Sequence, residues 1–182
     1  MKRSLLIGCG NSRTKKVFLH GENEWAGELT TLDMNPNCGA DVVFDLDSLC
    51  IPMRHKLSGY PGLPFENESF DELAAYDVLE HMGRQGDWRC WFTEMSEYHR
   101  ILKPGGTFGI IVPTGADALA DPGHTRFITA NYFLFLNQGW YDEQLKQNRQ
   151  VTDYRWYWTL NFDVLHMQNI EDHHLSVMLR KS

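Results

Sequence analysis

Long apolar runs are missing from this sequence of 182 residues. Nowhere do 18 apolar residues follow one another, so no stretch is built to span a membrane as a helix. The start, Met1 to Gly8, is basic and then apolar, but its apolar part is too short for a secretory signal. Positive charge is scarce, with 17 Lys and Arg against 24 Asp and Glu and a formal net charge of -7. A protein that holds duplex nucleic acid by neutralising phosphates has the opposite balance, so nucleic acid is disfavoured as a partner. Cysteine is sparse too. Cys9, Cys38, Cys50 and Cys90 form no C-x-x-C pair and match no zinc-site spacing. They read as reduced thiols of a cytoplasmic protein. Repeats, low-complexity tracts and Ser/Pro-rich linkers are also absent, so a single domain over 1–182 is expected.

What is present alternates short apolar runs with amphipathic stretches. Ser4 to Ile7 reads as a strand ending on Gly8, Leu29 to Leu32 as one ending on Asp33, and Asp41 to Phe44 as one ending on Asp45. Phe70 to Tyr76 suits strand or helix by periodicity, and the turn-rich residues before it favour a strand. From 88 to 102, Trp88, Trp91, Phe92, Met95, Tyr98, His99 and Leu102 recur at steps of three and four, which predicts a helix. Lys103-Pro104-Gly105-Gly106 stops it, and Thr107 to Val112 reads as a buried strand. Trp158 to Met167 and His174 to Leu179 flank a polar turn at 169–172 and predict an antiparallel hairpin. The expected class is α/β, with a mostly parallel sheet and an antiparallel C-terminal hairpin. Ligands of such sheets sit beyond the carboxyl ends of the strands.

Those ends carry the candidate chemistry. Ile7-Gly8-Cys9-Gly10-Asn11 is a glycine turn, either a nucleotide loop or a plain turn. Arg13 stands where a dinucleotide loop has its third glycine, which counts against NAD, and no Gly-Lys-Ser/Thr follows. Asp33 could accept from two ribose hydroxyls, or be a turn aspartate beside Asn35-Pro36. Asp45 could accept from an adenine amino group, or be a solvated turn residue.

Together with Leu32-Asp33-Met34-Asn35, Phe44-Asp45-Leu46, Tyr76-Asp77-Val78-Leu79-Glu80-His81-Met82 and Arg100-Ile101-Leu102-Lys103-Pro104-Gly105-Gly106, these pieces resemble a known family. They look like class I methyltransferases that use S-adenosyl-L-methionine, and among them the short methyltransferase-type-11-like proteins. The resemblance covers residues 4–113 and the hairpin at 158–180. It implies a Rossmann-like fold with helices on both faces, and S-adenosyl-L-methionine as cofactor. Gly8, Cys9 and Gly10 would pass under its methionine part. Asp33 would hold the ribose hydroxyls, with Met34 beside it. Asp45 and the Leu46 N–H would meet the adenine, and Tyr76 and Asp77 the methionine end. Glu80 and His81 would begin the next helix, with His81 on the open side of the pocket.

Three departures from the family pattern matter. The sequence starts at its first strand, so the lid that many relatives carry before that strand is expected to be missing. Residues 11–29 show no convincing helical period, which leaves the floor of the cofactor site in question. An Asn/Asp-Pro-Pro-aromatic turn after the fourth strand is absent, which disfavours methylation of base amines.

Methyl transfer from a sulfonium needs alignment and exclusion of water more than it needs a base. The candidate catalytic residues are His81 and His124, either of which could accept a proton or simply pack locally. His124 lies in Asp121-Pro122-Gly123-His124-Thr125-Arg126, a turn that Asp121 could hold by pairing with His124 or Arg126. Arg126 could instead bind an acidic substrate group or form a surface ion pair. No metal is expected: His173 and His174 adjoin Glu171 and Asp172, but neighbours on a strand face opposite ways, and His55 and His166 lie elsewhere. An insertion at about 115–157, near the substrate side, is rich in aromatic rings. It is a packed hydrophobic unit, a substrate lid or a stacking surface, and its acidic residues weaken the last. A small-molecule substrate is favoured, no membrane is involved, and a homodimer or partner protein that supplies the missing lid is the second reading.

Overall fold

The computed structural model describes residues 1–18, 23–25, 27–50, 62–171 and 173–182. Part of the 11–29 crossover, His55 and Asp172 lie outside the described residues. Seven strands form one sheet: β1 (Arg3–Ile7), β2 (Glu28–Asp33), β3 (Val42–Val43), β4 (Phe70–Tyr76), β5 (Leu102–Pro113), β6 (Phe162–Ile170) and β7 (His174–Lys181). Their order is β3-β2-β1-β4-β5-β7-β6. The first five run parallel, and β7 runs antiparallel to both of its neighbours. This is the expected mixed α/β sheet with its terminal hairpin. The chain leaves β1 in one direction for β2 and β3, and in the other for β4 and β5. A crevice therefore opens between the carboxyl ends of β1 and β4.

Alternation builds the two faces. Leu5 and Ile7, Leu73 and Ala75, and Phe108, Ile110 and Val112 point to one side, where Trp91, Phe92, Met95 and Tyr98 join the same core. These come from α1 (Trp88–Ile101), whose first turn is capped by Asp87 accepting from the Cys90 N–H at 3.1 Å. The helix runs directly into β5. Leu102 pairs with Phe70 and Thr107 with Glu72, so Lys103–Gly106 bulges out where a separate stop was expected. Lys103 pairs with Asp71 at 2.7 Å across that bulge.

Leu6, Ala74, Tyr76, Ile111 and Met178 point to the other side. There the covering is not the helix that the resemblance implies: among the described residues, none lies between β1 and β2. Extended chain takes its place. Val17 lies over Gly109, where a Cβ would stand 3.3 Å from the Val17 Cβ. Lys15 drives into the sheet and meets Glu72 at 2.6 Å, with both side chains buried. It also donates to the Glu24 carbonyl at 2.9 Å, and the Trp25 indole donates to the Arg13 carbonyl at 2.7 Å.

After β5 the chain makes α2 (Ala130–Leu134) and α3 (Gln138–Lys146). Ile128, Phe133, Leu136 and Trp158 of this region enter the main core. Trp158 stacks on Phe92 with centroids 5.5 Å apart and donates its indole N–H to the Leu136 carbonyl at 3.0 Å. Most rings of this aromatic-rich stretch are thus packing groups.

The expectation of four reduced thiols is corrected. Cys50 and Cys90 are disulfide-bonded with their Cα atoms 4.5 Å apart, while Cys9 and Cys38 are free. The pair is 40 residues apart in sequence, so no local spacing announces it. Gly83 makes room for it, since a Cβ there would lie 2.5 Å from the Cys90 sulfur.

His99 on α1 is buried against Phe162, with ring centroids 5.1 Å apart. Burial, and then the positive charge of Lys181, push its pKa down to about 4. The folded state therefore holds a neutral ring that the unfolded chain protonates near about 6.5. Its contribution is complete above the unfolded value and is lost as pH falls towards the folded one. Urea unfolding should show wild type losing about 3 kcal/mol relative to His99→Phe between about pH 6.5 and about pH 4. Parallel pH curves would contradict this account.

Candidate functional site

The site begins where β1 ends. Gly8 and Gly10 both take left-handed conformations, with φ of 61° and 48°. Gly8 must be glycine for a second reason: a Cβ there would lie 2.1 Å from a methyl of Val78. The Gly8 and Cys9 N–H groups both donate to the Leu32 carbonyl, at 2.8 and 3.2 Å. Asp33, at the end of β2, completes the turn. Its Oδ2 accepts from the Gly10 N–H and its Oδ1 from the Asn35 N–H, each at 2.8 Å. Arg13 closes the loop from the other side. It donates to the carbonyls of Gly10 at 2.9 Å, Gly39 at 2.9 Å and Cys38 at 3.2 Å. A guanidinium fork thus does the holding that a following helix would do.

Two further carboxylates extend the site along β3. The Asp45 Oδ1 accepts from the Asp47 N–H at 3.0 Å and starts a short 3-10 helix, Leu46–Cys50. The Asp47 Oδ1 accepts from the Gly83 N–H at 3.0 Å. Asp77 follows β4 with φ of 57°, a conformation that costs a non-glycine residue roughly 1–3 kcal/mol and that clusters at functional sites. Its Oδ2 lies 3.2 Å from the Lys16 ammonium and its Oδ1 3.3 Å from the His174 Nε2.

These ends enclose a cavity of about 360 Å³. Asp33, Asp45, Asp47 and Asp77 give it polar walls, and Met34, Phe44, Leu46, Val78 and Met82 give it apolar ones. Gly8 and His81 also line it, and among the described residues no Lys or Arg does. Seven of the residues singled out in the sequence therefore meet in one cavity: Gly8, Asp33, Met34, Asp45, Leu46, Asp77 and His81. Gly10 reaches it through Asp33. The Cys9 and Tyr76 side chains lie on the second face of the sheet. There the Tyr76 hydroxyl accepts from the Val17 N–H at 3.3 Å, and burial raises its pKa.

Glu80 and His81 belong to a 3-10 turn, Leu79–His81, and not to the following helix. The loop 121–126 docks on this turn. The Thr125 and Arg126 N–H groups donate to the Glu80 carbonyl at 2.9 and 3.2 Å. The His81 Nδ1 lies 3.1 Å from the Gly123 carbonyl. His81 and His124 stand edge to face with centroids 4.7 Å apart. Glu80 is buried beneath them, and its pKa is raised to about 7 mainly by that burial. Sequence reasoning missed Glu80 and Asp47. Their partners come from loops distant in the chain, and only the Glu80-His81 adjacency hinted at one of them.

Arg126 neither pairs with Asp121 nor sits on the surface. It is buried, donating to Glu94 at 2.6 Å and to the Leu79 carbonyl at 2.8 Å. A second cavity of about 220 Å³ lies nearby, lined by Trp88, Trp91, Tyr132, Phe135 and Tyr154 together with Arg84 and Arg126. Removing one member of a buried pair strands the other charge. Chemical denaturation should show Arg126→Ala losing about 3–5 kcal/mol and the double variant Arg126→Met/Glu94→Leu recovering most of it. A double variant no more stable than the single one would contradict this reading.

Comparison with known proteins places the chain. The model of a family described as a methyltransferase domain matches residues 5–110. A Mycolicibacterium smegmatis protein described as a probable S-adenosylmethionine-dependent methyltransferase is 32% identical over 74 residues, 37% of this chain and 26% of that protein. The match thus spans about a quarter of that curated relative's length. Among solved structures, the [4+2]-cyclase SpnF superposes with a TM-score of 0.56 at 15% identity, covering 99% of this chain and 74% of its own. A Methanosarcina mazei SAM-dependent methyltransferase gives 0.53 at 15% identity, covering 98% and 92%. A chain of the Haloferax volcanii complex between the Trm112 methyltransferase activator and a methyltransferase gives 0.54 at 14% identity, covering 99% and 82%. At such identities these three speak for the fold.

Proposed function

The chain belongs to the methyltransferase-domain family, and from that premise we propose that it is an S-adenosyl-L-methionine-dependent methyltransferase acting on a small-molecule acceptor. The observation that carries this reading is the charge of the cavity. Four carboxylates line it, and among the described residues no Lys or Arg does. The donor carries a sulfonium and an ammonium, so such walls attract it. A dinucleotide would bring a pyrophosphate into the same carboxylates and be repelled. The volume, about 360 Å³, is of the size that takes a ligand of this class.

Each residue then has a part to play. Asp33 already accepts two backbone N–H groups and has lone pairs left for ribose hydroxyls. Asp45 accepts from the adenine amino group, with the Leu46 N–H beside it and Met34 against the ring. The Gly8-Cys9-Gly10 backbone passes under the methionine part. The Tyr76 carbonyl and the Asp77 carboxylate face its ammonium. The bound donor supplies an electrophilic methyl group. His81, on the open side, orients the acceptor. A carbonyl can only accept, so the contact of the His81 Nδ1 with Gly123 puts the ring proton there and leaves Nε2 free to take a proton, with His124 behind it. The rest of the acceleration is alignment and exclusion of water.

A second reading is a donor-holding module completed by a partner chain or a second copy. Exposed Met34 at the cavity wall and exposed Leu119 favour it, and the Haloferax volcanii structure is itself a complex with an activator. No helix among the described residues is long and apolar enough to cross a membrane. The expected cytoplasmic location is not carried into the proposal, because the Cys50–Cys90 bond is of a kind seldom preserved in a reducing compartment.

Thermal unfolding tests the reading. S-adenosylmethionine or S-adenosylhomocysteine at about 100 times its dissociation constant should add about 2.7 kcal/mol, or roughly 5–10 °C. NAD should add nothing, and Asp33→Ala should abolish the shift. A shift with NAD, or none with either adenosyl ligand, would overturn it.

A further inference from the structure

We infer that Glu80, His81 and His124 form a binding site for a divalent metal ion of the zinc class at the open edge of the acid-lined cavity. One donor atom from each of the three lies within 4.8 Å of the others. The Glu80 carboxylate is 1% exposed, and neither of its oxygens has a hydrogen-bond partner. A charged carboxylate left in that state is costly, and either a proton or a bound cation relieves it. The His124 Nε2 approaches its Oε1 to 3.9 Å.

Both imidazoles are set for ligation. The His81 Nδ1 meets the Gly123 carbonyl and the His124 Nδ1 meets the Ala118 carbonyl, each at 3.1 Å. Both ring protons therefore sit on Nδ1, and both Nε2 lone pairs are free. A backbone carbonyl behind each ligating ring is the arrangement that fixes metal-binding histidines. The frame is built in advance: the Thr125 and Arg126 N–H groups and the Thr125 hydroxyl all bond the Glu80 carbonyl. Gly123 permits the approach, since a Cβ there would stand 3.1 Å from the His81 ring. Two imidazole nitrogens and one carboxylate suit zinc and its neighbours better than magnesium or calcium. Ligands of tetrahedral zinc lie about 3.3 Å apart, so a contraction of up to about 1.5 Å closes the set.

Three protein ligands leave a coordination position open, and His81 also lines the cavity. An acceptor hydroxyl bound there would lose its proton to solvent more easily. Its oxygen would then form the bond to the methyl carbon as the carbon–sulfur bond breaks and the electron pair stays on sulfur. That role rests on the methyl-transfer reading and, with a metal held on the His81 Nε2, replaces proton acceptance by that nitrogen; the metal site itself does not rest on it. A rival cluster exists at Cys9, Asp33 and Cys38, but each Asp33 oxygen already has a backbone N–H partner, whereas neither Glu80 oxygen has one.

The test is calorimetric titration of Zn²⁺ into the EDTA-treated whole chain without any methyl donor. Wild type should bind one Zn²⁺ per chain. His124→Ala and Glu80→Gln should each weaken binding on the order of 100-fold, while Cys38→Ser leaves it unchanged. Thermal melts confirm that each variant is folded, and Co²⁺ in wild type should give visible bands without sulfur charge transfer. Absence of binding, unchanged affinity in folded His124→Ala, or loss in Cys38→Ser would overturn the site. The S-adenosylmethionine melting shift, measured on the same variants without metal, reports separately on the donor site.

Discussion

The carboxylate of Asp33 ties two strand ends together. One oxygen accepts from the Gly10 N–H on the turn after β1, and the other from the Asn35 N–H on the turn after β2. The glycine turn it holds is left-handed and presses on Val78, so it has little room to shift. The position of the β4 end, with strained Asp77 and the turn carrying His81, is thereby coupled to the same contact. Loss of this carboxylate would release the floor and one wall of the cavity together.

The structure also shows how a glycine loop stays firm without a helix packed behind it. Arg13 joins the loop to the turn at Cys38 and Gly39. The Lys15–Glu72 pair and Trp25 pin the extended chain to the second sheet face. On the opposite flank, Arg126 and the backbone of 121–126 fasten the His124 loop to the turn at Leu79–His81. Long-range polar clamps thus stand where short-range helical packing would otherwise serve. They are directional, and those of Lys15 and Arg126 are buried; that rigidity is what a site working by alignment requires.

Much of this was legible in the residues. β1 follows from an apolar run ending on glycine, β4 from the turn-rich residues before its apolar run and α1 from helical spacing, and the acids at the ends of β2 and β3 lie where open-sheet topology puts ligands. What was hidden depends on contacts between distant segments. Arg13 was visible only as a misfit in a dinucleotide loop; its three carbonyl partners become apparent once β2 and β3 are placed. The Cys50–Cys90 bond, the Arg126–Glu94 pair and the burial of Glu80 have no local signature either. The helix does end before Lys103–Gly106, but the strand begins at Leu102 and bulges there, because glycine and proline punctuate helix ends and strand bulges alike.

The central claim is that the acid-lined cavity at the ends of β1 to β4 holds the methyl donor. The most direct measurement is a ¹H–¹⁵N correlation spectrum of the labelled chain titrated with S-adenosylhomocysteine. The account predicts that the amide signals of Gly8, Gly10, Asp33 and Asp45 move together and saturate together. Unmoved glycine signals, with shifts instead at Trp88, Trp91 and Tyr154 around the aromatic cavity, would contradict it.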